Sequence, residues 1–301
     1  MACPRVSVII PTYRHRDFIE RTLASVFAQT LADYEVIVVN DGSPDDTRAV
    51  LAPYVEAERI TYIEQANQGQ SRARNAGLAR AAGEYIAFLD DDDVWPSDKL
   101  ASQVAFLDSQ PAVGMVGGTF QRIDADDTRG TLGPFHESIT FETLFTANPF
   151  HSPGQTLIRA NLLKDIGGLN SSIWGADDWD LWFRIAKRAA IVMRNEVALY
   201  YRLHPGNASK QTARLLRACC ETIELHLRTV DRSMRSALRR RSQRTIYAGL
   251  GCHLVSAARK EARRGRFVAA MSLLRGVLPL RRGILFDDYV RREFLRDVVY
   301  G

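Results

Sequence analysis

The sequence is poor in cysteine, with four in 301 residues. Cys3, Cys219, Cys220 and Cys252 show neither metal-ligand spacing nor a disulfide-framework pattern, so a reduced, cytosolic protein is expected. Long apolar runs are missing too. The longest stretch free of Asp, Glu, Lys and Arg, Thr143 to Ile158, still contains Asn, Pro, His, Ser and Gln. A spanning helix needs about 20 mostly apolar residues. A strand-like run begins at Val6, too early to follow a charged and then an apolar leader, so no secretory signal is expected. Low-complexity tracts and convincing repeats are absent. With 46% hydrophobic and 25% charged residues, this excludes a disordered or fibrous chain. The length fits one large domain with an appendage, or two domains.

Charge is distributed unevenly. Residues 206–301 hold 21 Lys+Arg against 8 Asp+Glu, whereas residues 1–205 hold 19 against 27. The acidic part suits a cation. The basic part is either a solvated helical face or a surface for an anionic partner.

Val6 to Ile10 forms a short apolar run ended by Pro11, as a buried strand would be. Asp17 to Thr30 places Phe18, Ile19, Leu23, Val26 and Phe27 at helical spacing. Tyr34 to Val39 is a second strand, and it runs into Asn40-Asp41-Gly42-Ser43. Ser43 followed by Pro44 reads as an N-cap with proline at the first helical position. Strands at Ile60–Ile63 and Tyr85–Leu89 come next, with helices over Ser71–Ala82 and Ser97–Ser109. Strands alternating with helices predict a mostly parallel sheet, whose ligands lie beyond the carboxyl ends of the strands. Pro11-Thr12-Tyr13, Asn40 to Ser43 and Asp90-Asp91-Asp92-Asp93 all fall at such ends. After Val113, strand-like pieces (Val113–Phe120, Thr156–Ile158, Ala190–Met193, Ala198–Arg202) interleave with short helices. From Thr212 the chain reads as helical, with Gly265 between two helical stretches.

Four adjacent carboxylates repel one another, and a bound cation would relieve that. All-oxygen ligands suit Mg²⁺ or Mn²⁺, with a diphosphate as companion ligand. An acidic turn capping the next helix is the plainer reading. Bulky Val94-Trp95-Pro96 directly after the acids argues against a merely solvated turn. A second acidic segment, Asp177 to Arg184, opens a helix. Asp177 and Asp178 lie in its first turn, where the helix dipole favours negative charge. A carboxylate there either compensates the dipole or accepts a proton from a hydroxyl nucleophile.

Taken together these segments resemble the inverting glycosyltransferases of family 2, which have the GT-A fold. The matching stretches are Val6 to Tyr13, Tyr34 to Ser43, Asn67 to Asn75, Phe88 to Trp95, Gly167-Gly168 and Asp177 to Trp182. Each is weak alone, but their order and spacing are specific. The family usually has Glu where Asp177 stands, and Phe-Asp or Phe-Glu where Leu169-Asn170 stands.

The resemblance implies an α/β fold: a Rossmann-like, mostly parallel central sheet flanked by helices, with a C-terminal helical extension. Residues 1–110 would form the nucleotide-sugar half and 111–205 the acceptor half, with 206–301 the basic helical region. It implies a nucleotide-sugar donor, UDP-linked. Thr12 and Tyr13 would line the base pocket with Pro11 beside them, and Asp41 would hydrogen-bond the base. Gln68 and Arg72 would contact the donor from the neighbouring loop. Asp90 or Asp91 would contact ribose, and Asp92 and His204 would hold Mn²⁺ or Mg²⁺. Asp178 would be the general base. The acceptor would be a saccharide or lipid-linked saccharide. Two rival classes are a non-catalytic nucleotide-sugar-binding protein and a sugar-phosphate nucleotidyltransferase. The latter lacks support, because no glycine-rich phosphate loop comes after the first strand. The basic helices, with Arg239-Arg240-Arg241 and Arg263-Arg264, would cover the acceptor side, join two subunits or touch an anionic membrane from the cytoplasm. Sparse aromatics there argue against nucleic acid.

Overall fold

Strand β1 (Val6–Thr12) is buried at all seven positions, which is what a strand with both faces covered requires. In the computed structural model, which describes residues 3–207, 211–280 and 287–299, β1 lies near the middle of an eight-stranded sheet. Its neighbours β2 (Tyr34–Asn40) and β4 (Tyr85–Phe88) run parallel to it, and β3 (Thr61–Glu64) adds parallel to β2. The β1–β4 ladder stops at Ile9↔Phe88, so Pro11 falls beyond it, where its missing N–H costs no ladder bond on that side. The order is β3-β2-β1-β4-β7-β5-β6, with β8 on β5. Strand β7 (Thr156–Arg159) is antiparallel to both β4 and β5 (Val113–Ile123). Strand β8 (Ala190–Arg202) is parallel to β5, and β6 (Arg129–Leu132) is antiparallel to it.

Helices α1 (Ile19–Phe27), α2 (Thr47–Glu56) and α3 (Gln70–Leu78) connect the parallel strands, and α4 (Lys99–Ser109) comes after β4. Helix α1 buries Ile19, Leu23 and Val26, spaced i, i+4, i+7, against the sheet core of Val8, Ile10, Val36 and Val38. Each such side chain contributes about 1.5–3 kcal/mol on burial. Helix α2 starts at Thr47, not after Ser43 as its Ser-Pro pair suggests. The Ser43 hydroxyl instead accepts the Arg14 N–H (3.2 Å) and is thereby tied to the end of β1. Helix α5 (Ala160–Ile166) ends on Gly167 in the left-handed region (φ 79°), the usual conformation after a helix C-terminus. Helix α6 (Asp177–Ala186) precedes β8.

The chain divides into two compact units. The first contains the sheet and comprises residues 1–140, 149–171 and 180–204. The second comprises residues 141–148, 172–179 and 205–301. It is built from α7 (Thr212–Leu227), α8 (Arg232–Ile246), α9 (Cys252–Arg263), α10 (Phe267–Arg275) and α11 (Asp288–Val299), with a π-helical turn at Tyr247–Gly251. Leu216, Cys219, Ile223 and Leu227 of α7 lie within it, and Trp179 donates its indole N–H to Leu144 O (3.0 Å). Among the described residues no helix is long and apolar enough to cross a membrane.

Candidate active site

The parallel strands β1, β2 and β4 end together, so Thr12, Asn40 and Phe88 deliver the segments after them to one edge of the sheet. Asp41 N donates to Thr12 O (2.9 Å), which joins the first two ends. The Asp41 carboxylate is engaged by its neighbouring loop. It accepts from Gln65 Nε2 (2.7 Å), Gln68 N (2.9 Å) and Gly69 N (2.8 Å). That loop depends on glycine. Gly69 sits at φ 92°, and a Cβ on Gly42 (φ 70°) would lie 2.8 Å from Asn67 N. Gln68 Oε1 in turn accepts from Arg72 Nη1 (2.9 Å). Asp41, Gln68 and Arg72 therefore form one hydrogen-bonded group beside Thr12. Tyr13, just beyond, is 36% exposed.

The four aspartates have separate fates. Asp90 is held by Arg74, Gln70 and Ser152, so its carboxylate is fixed from α3 and from the loop before β7. Asp91 accepts from Tyr13 N (3.1 Å) and pairs with His15 Nδ1 (2.7 Å). Asp92 pairs with His204 Nε2 (2.7 Å). Asp93 is fully buried and accepts the Arg202 N–H (2.9 Å). Burial and the charges of Asp92 and Asp90 push the Asp93 carboxyl well above the ordinary range, with Arg202 opposing. Asp93 is thus an anchor. The backbone agrees, because Val94 and Tyr200 exchange both N–H···O bonds (3.1 and 2.8 Å) and tie the loop to β8. Arg202 completes the tether by donating Nε to Asp92 O (2.9 Å).

This fanning brings His15, Asp92 and His204 together, with ligand atoms from all three within 4.8 Å of one another. Phe18 braces both imidazoles, with ring centroids 5.9 Å from His15 and 4.9 Å from His204. Arg14 takes a left-handed conformation (φ 63°) and turns the chain so that His15 returns to Asp91. Burial alone would lower the His15 pKa. The Asp91 hydrogen bond and the charges of Asp91, Asp92 and Asp90 outweigh it and raise the imidazolium to about 9. A second-layer carboxylate on Nδ1 also orients a metal-ligating histidine, leaving Nε2 to coordinate. One carboxylate and two imidazoles make a reasonable donor set for a divalent transition metal.

Asp92 and His204 stand out in the sequence alone, but His15 does not. The available signal is a histidine three residues past the end of the first strand, beside Tyr13. Arg74, Ser152 and Arg202 escape sequence reasoning as well. They come from distant segments, and no local spacing marks them. Asp177 and Asp178 lie in the second unit, at the first turn of α6, and both are buried. Asp178 Oδ1 accepts the Trp179 N–H (2.6 Å), a contact within the same turn.

A mixed sheet of this order, with acidic and imidazole groups beyond the ends of its parallel strands, defines the GT-A class of glycosyltransferase fold. Residues 7–167 match glycosyl transferase family 2, and the chain belongs to that family. An uncharacterized glycosyltransferase of Nostoc sp. is 34% identical over 67% of this chain and 66% of its own. TuaG of Bacillus subtilis, whose name assigns it provisionally to teichuronic acid biosynthesis, is 46% identical over 35% of this chain and 42% of its own. The chain thus spans less than two thirds of the length of either relative. Among solved structures, Staphylococcus aureus TarS residues 1–349 in complex with UDP-GlcNAc superposes with TM-score 0.70 at 18% identity, covering 98% of this chain and 89% of that one. The mannosyltransferase PcManGT of Pyrobaculum calidifontis, in complex with GDP-Man and Mn²⁺, gives TM-score 0.61 at 22% identity, covering 98% and 87%.

Proposed function

We propose that the protein is a divalent-metal-dependent, inverting glycosyltransferase. It moves a sugar from a UDP-linked donor to a hydroxyl of a saccharide or lipid-linked saccharide, in cell-surface polysaccharide or glycoconjugate synthesis, on the cytoplasmic side. The observation that carries this reading is the gathering of His15, Asp92 and His204 within 4.8 Å beyond the parallel strands of a family 2 chain. The UDP-GlcNAc named for TarS and the biosynthetic role named for TuaG support the donor and the setting.

Asp92, His15 and His204 would hold the cation, and two imidazoles beside one carboxylate suit Mn²⁺ better than Mg²⁺. When bound, such an ion supplies positive charge to a leaving diphosphate. The chain's own groups do the rest. Pro11, Thr12 and Tyr13 border the base, and the Asp41–Gln68–Arg72 group shapes the wall beside it. Asp90 or Asp91 would contact the ribose, each being held by partners from other segments. Asp178 takes the proton of the acceptor hydroxyl as its oxygen attacks the anomeric carbon opposite the diphosphate. No covalent intermediate forms on the chain, and configuration inverts.

Calorimetry with UDP, followed by NMR of the transfer product, tests this. Mn²⁺ should tighten UDP binding in the wild type, and Asp92→Ala should abolish the tightening. Asp178→Asn should bind UDP normally and transfer sugar about 10²–10⁴-fold more slowly. Equal UDP affinity with and without Mn²⁺ sinks the metal assignment. A fully active Asp178→Asn removes the base. A product of retained configuration overturns inversion. Metal-dependent binding without any turnover would leave a nucleotide-sugar-binding protein.

A further inference from the structure

Helix α10 carries an apolar face that stays exposed among the described residues. Phe267 is 67% exposed, Val268 88% and Met271 55%. Their i, i+1, i+4 spacing puts them on one side of the helix. Ala270, on the inward side, is buried, and α10 packs against α9. Leu278, one turn past α10, is 57% exposed. Around this face the charge is of one sign. Between Ser256 and Gly276 the sequence has six basic residues and one acidic residue. Lys260, Arg263, Arg264, Arg266 and Arg275 are exposed. The acid, Glu261, is already paired with Arg264 (3.4 Å) and Arg266 (2.8 Å).

Single exposed apolar side chains are ordinary, but a contiguous group rimmed by one sign of charge marks an interaction surface. The occupant must offer anionic groups at the rim and an apolar interior at the centre. Nucleic acid offers the first, but Val268 and Met271 cannot stack on bases as aromatic platforms do. A second copy of this chain would bring like charge against like. An anionic lipid surface offers both features in the required order, with phosphates outside and acyl chains within. Phenylalanine on one face and arginines beside it are the composition of helices that lie in that boundary.

We propose that α10 docks the protein on an anionic bilayer. Phe267, Val268 and Met271 enter the headgroup–acyl boundary, while Arg263, Arg264, Arg266 and Arg275 meet lipid phosphates. The helix is already formed and braced by α9, so no ordering of a disordered segment is required. The docking needs no catalytic residue and stands independently of the glycosyltransferase reading.

Flotation of the full chain with vesicles tests it, using phosphatidylcholine alone and phosphatidylcholine mixed with phosphatidylglycerol, at low and high salt. Binding should appear on the anionic vesicles at low salt and fall at high salt. Each of Arg264→Ser and Arg275→Ser should weaken it by roughly fivefold, the value of one basic group near such a surface. The triple variant Phe267→Ser, Val268→Ser, Met271→Ser should weaken it by about 100-fold or more. As a readout independent of that variant's folding, Phe267→Trp should gain a blue-shifted emission component on anionic vesicles. No flotation at low salt overturns the proposal, as does a triple variant that floats like the wild type or an unshifted Phe267→Trp. A dimer seen by light scattering that the triple variant abolishes, without vesicle binding, would make this face a contact between copies and overturn it equally.

Discussion

Replacing Arg202 with methionine should separate the anchoring of a buried carbonyl from the effect of a surface ion pair. The Arg202 side chain is fully buried. It donates Nε to Asp92 O (2.9 Å) and Nη1 to Asp124 O (3.1 Å) and Ala125 O (3.3 Å), and it pairs through Nη2 with Asp127 (2.6 Å). Asp127 is 49% exposed, and an ion pair with so exposed a partner contributes about 0–1 kcal/mol. Asp124 and Ala125 are exposed too, so water replaces the lost donor at little cost. Asp92 is buried, and a buried acceptor stripped of its donor costs about 1–3 kcal/mol. Methionine fills most of the space of the arginine stem, so cavity formation adds little. Arg202→Met should therefore cost about 1–4 kcal/mol, whereas Asp127→Asn, which touches only the surface pairs with Arg202 and Arg21, should cost under about 1 kcal/mol. Urea unfolding monitored by fluorescence reads both, with Trp95 and Trp182 reporting from the sheet-containing unit. Equal costs for the two variants, or a larger one for Asp127→Asn, would refute the claim that the carbonyl of Asp92 is what Arg202 secures.

Two further predictions concern the same unit. Tyr85 donates its hydroxyl to Asp108 (2.6 Å), and burial, then that partner, pushes the phenol up to about 12. A phenol held above its unfolded value of about 10 stabilises fully below pH 10, and that contribution is lost as pH rises towards 12. Asp108 is half exposed, so screening leaves about 1 kcal/mol. Tyr85→Phe should be less stable than the wild type by that amount at pH 8, with the gap closing towards pH 11; a constant gap refutes the linkage. Asn75 accepts the Leu169 N–H (2.9 Å) and donates to Leu169 O (2.8 Å), so Asn75→Ala should cost about 2 kcal/mol. Hydrogen exchange at the Leu169 amide should quicken, and unchanged protection there would mean the bridge does not hold that turn.

The first half of the sheet is legible because β1, most of β2 and β4 are buried on both faces and are therefore rich in apolar, often β-branched residues, as Val6 to Ile10 and Val36 to Val39 are. The second half, from β5 onward, is less legible for a physical reason. Register shifts along the β5–β8 ladder interrupt the apolar pattern, so one strand, Ala190–Arg202, reads as two pieces. Strand β6 has four exposed residues and no alternation to find. Ser43 looks like an N-cap in sequence, but its hydroxyl is used by a segment 29 residues away. The same distinction governs the site. The aspartate run is visible as a run, whereas the partners of each carboxylate are set by contacts between distant segments. Asp90 meets Ser152, Asp92 meets His204 across 112 positions, and Asp93 meets Arg202 across 109. Four identical residues in a row thereby acquire different chemistry: one held by arginine, one hydrogen-bonded to the Nδ1 of a histidine, one beside two imidazoles, and one buried as an anchor. Local sequence places the acids at the strand ends, and long-range packing decides which of them faces a ligand.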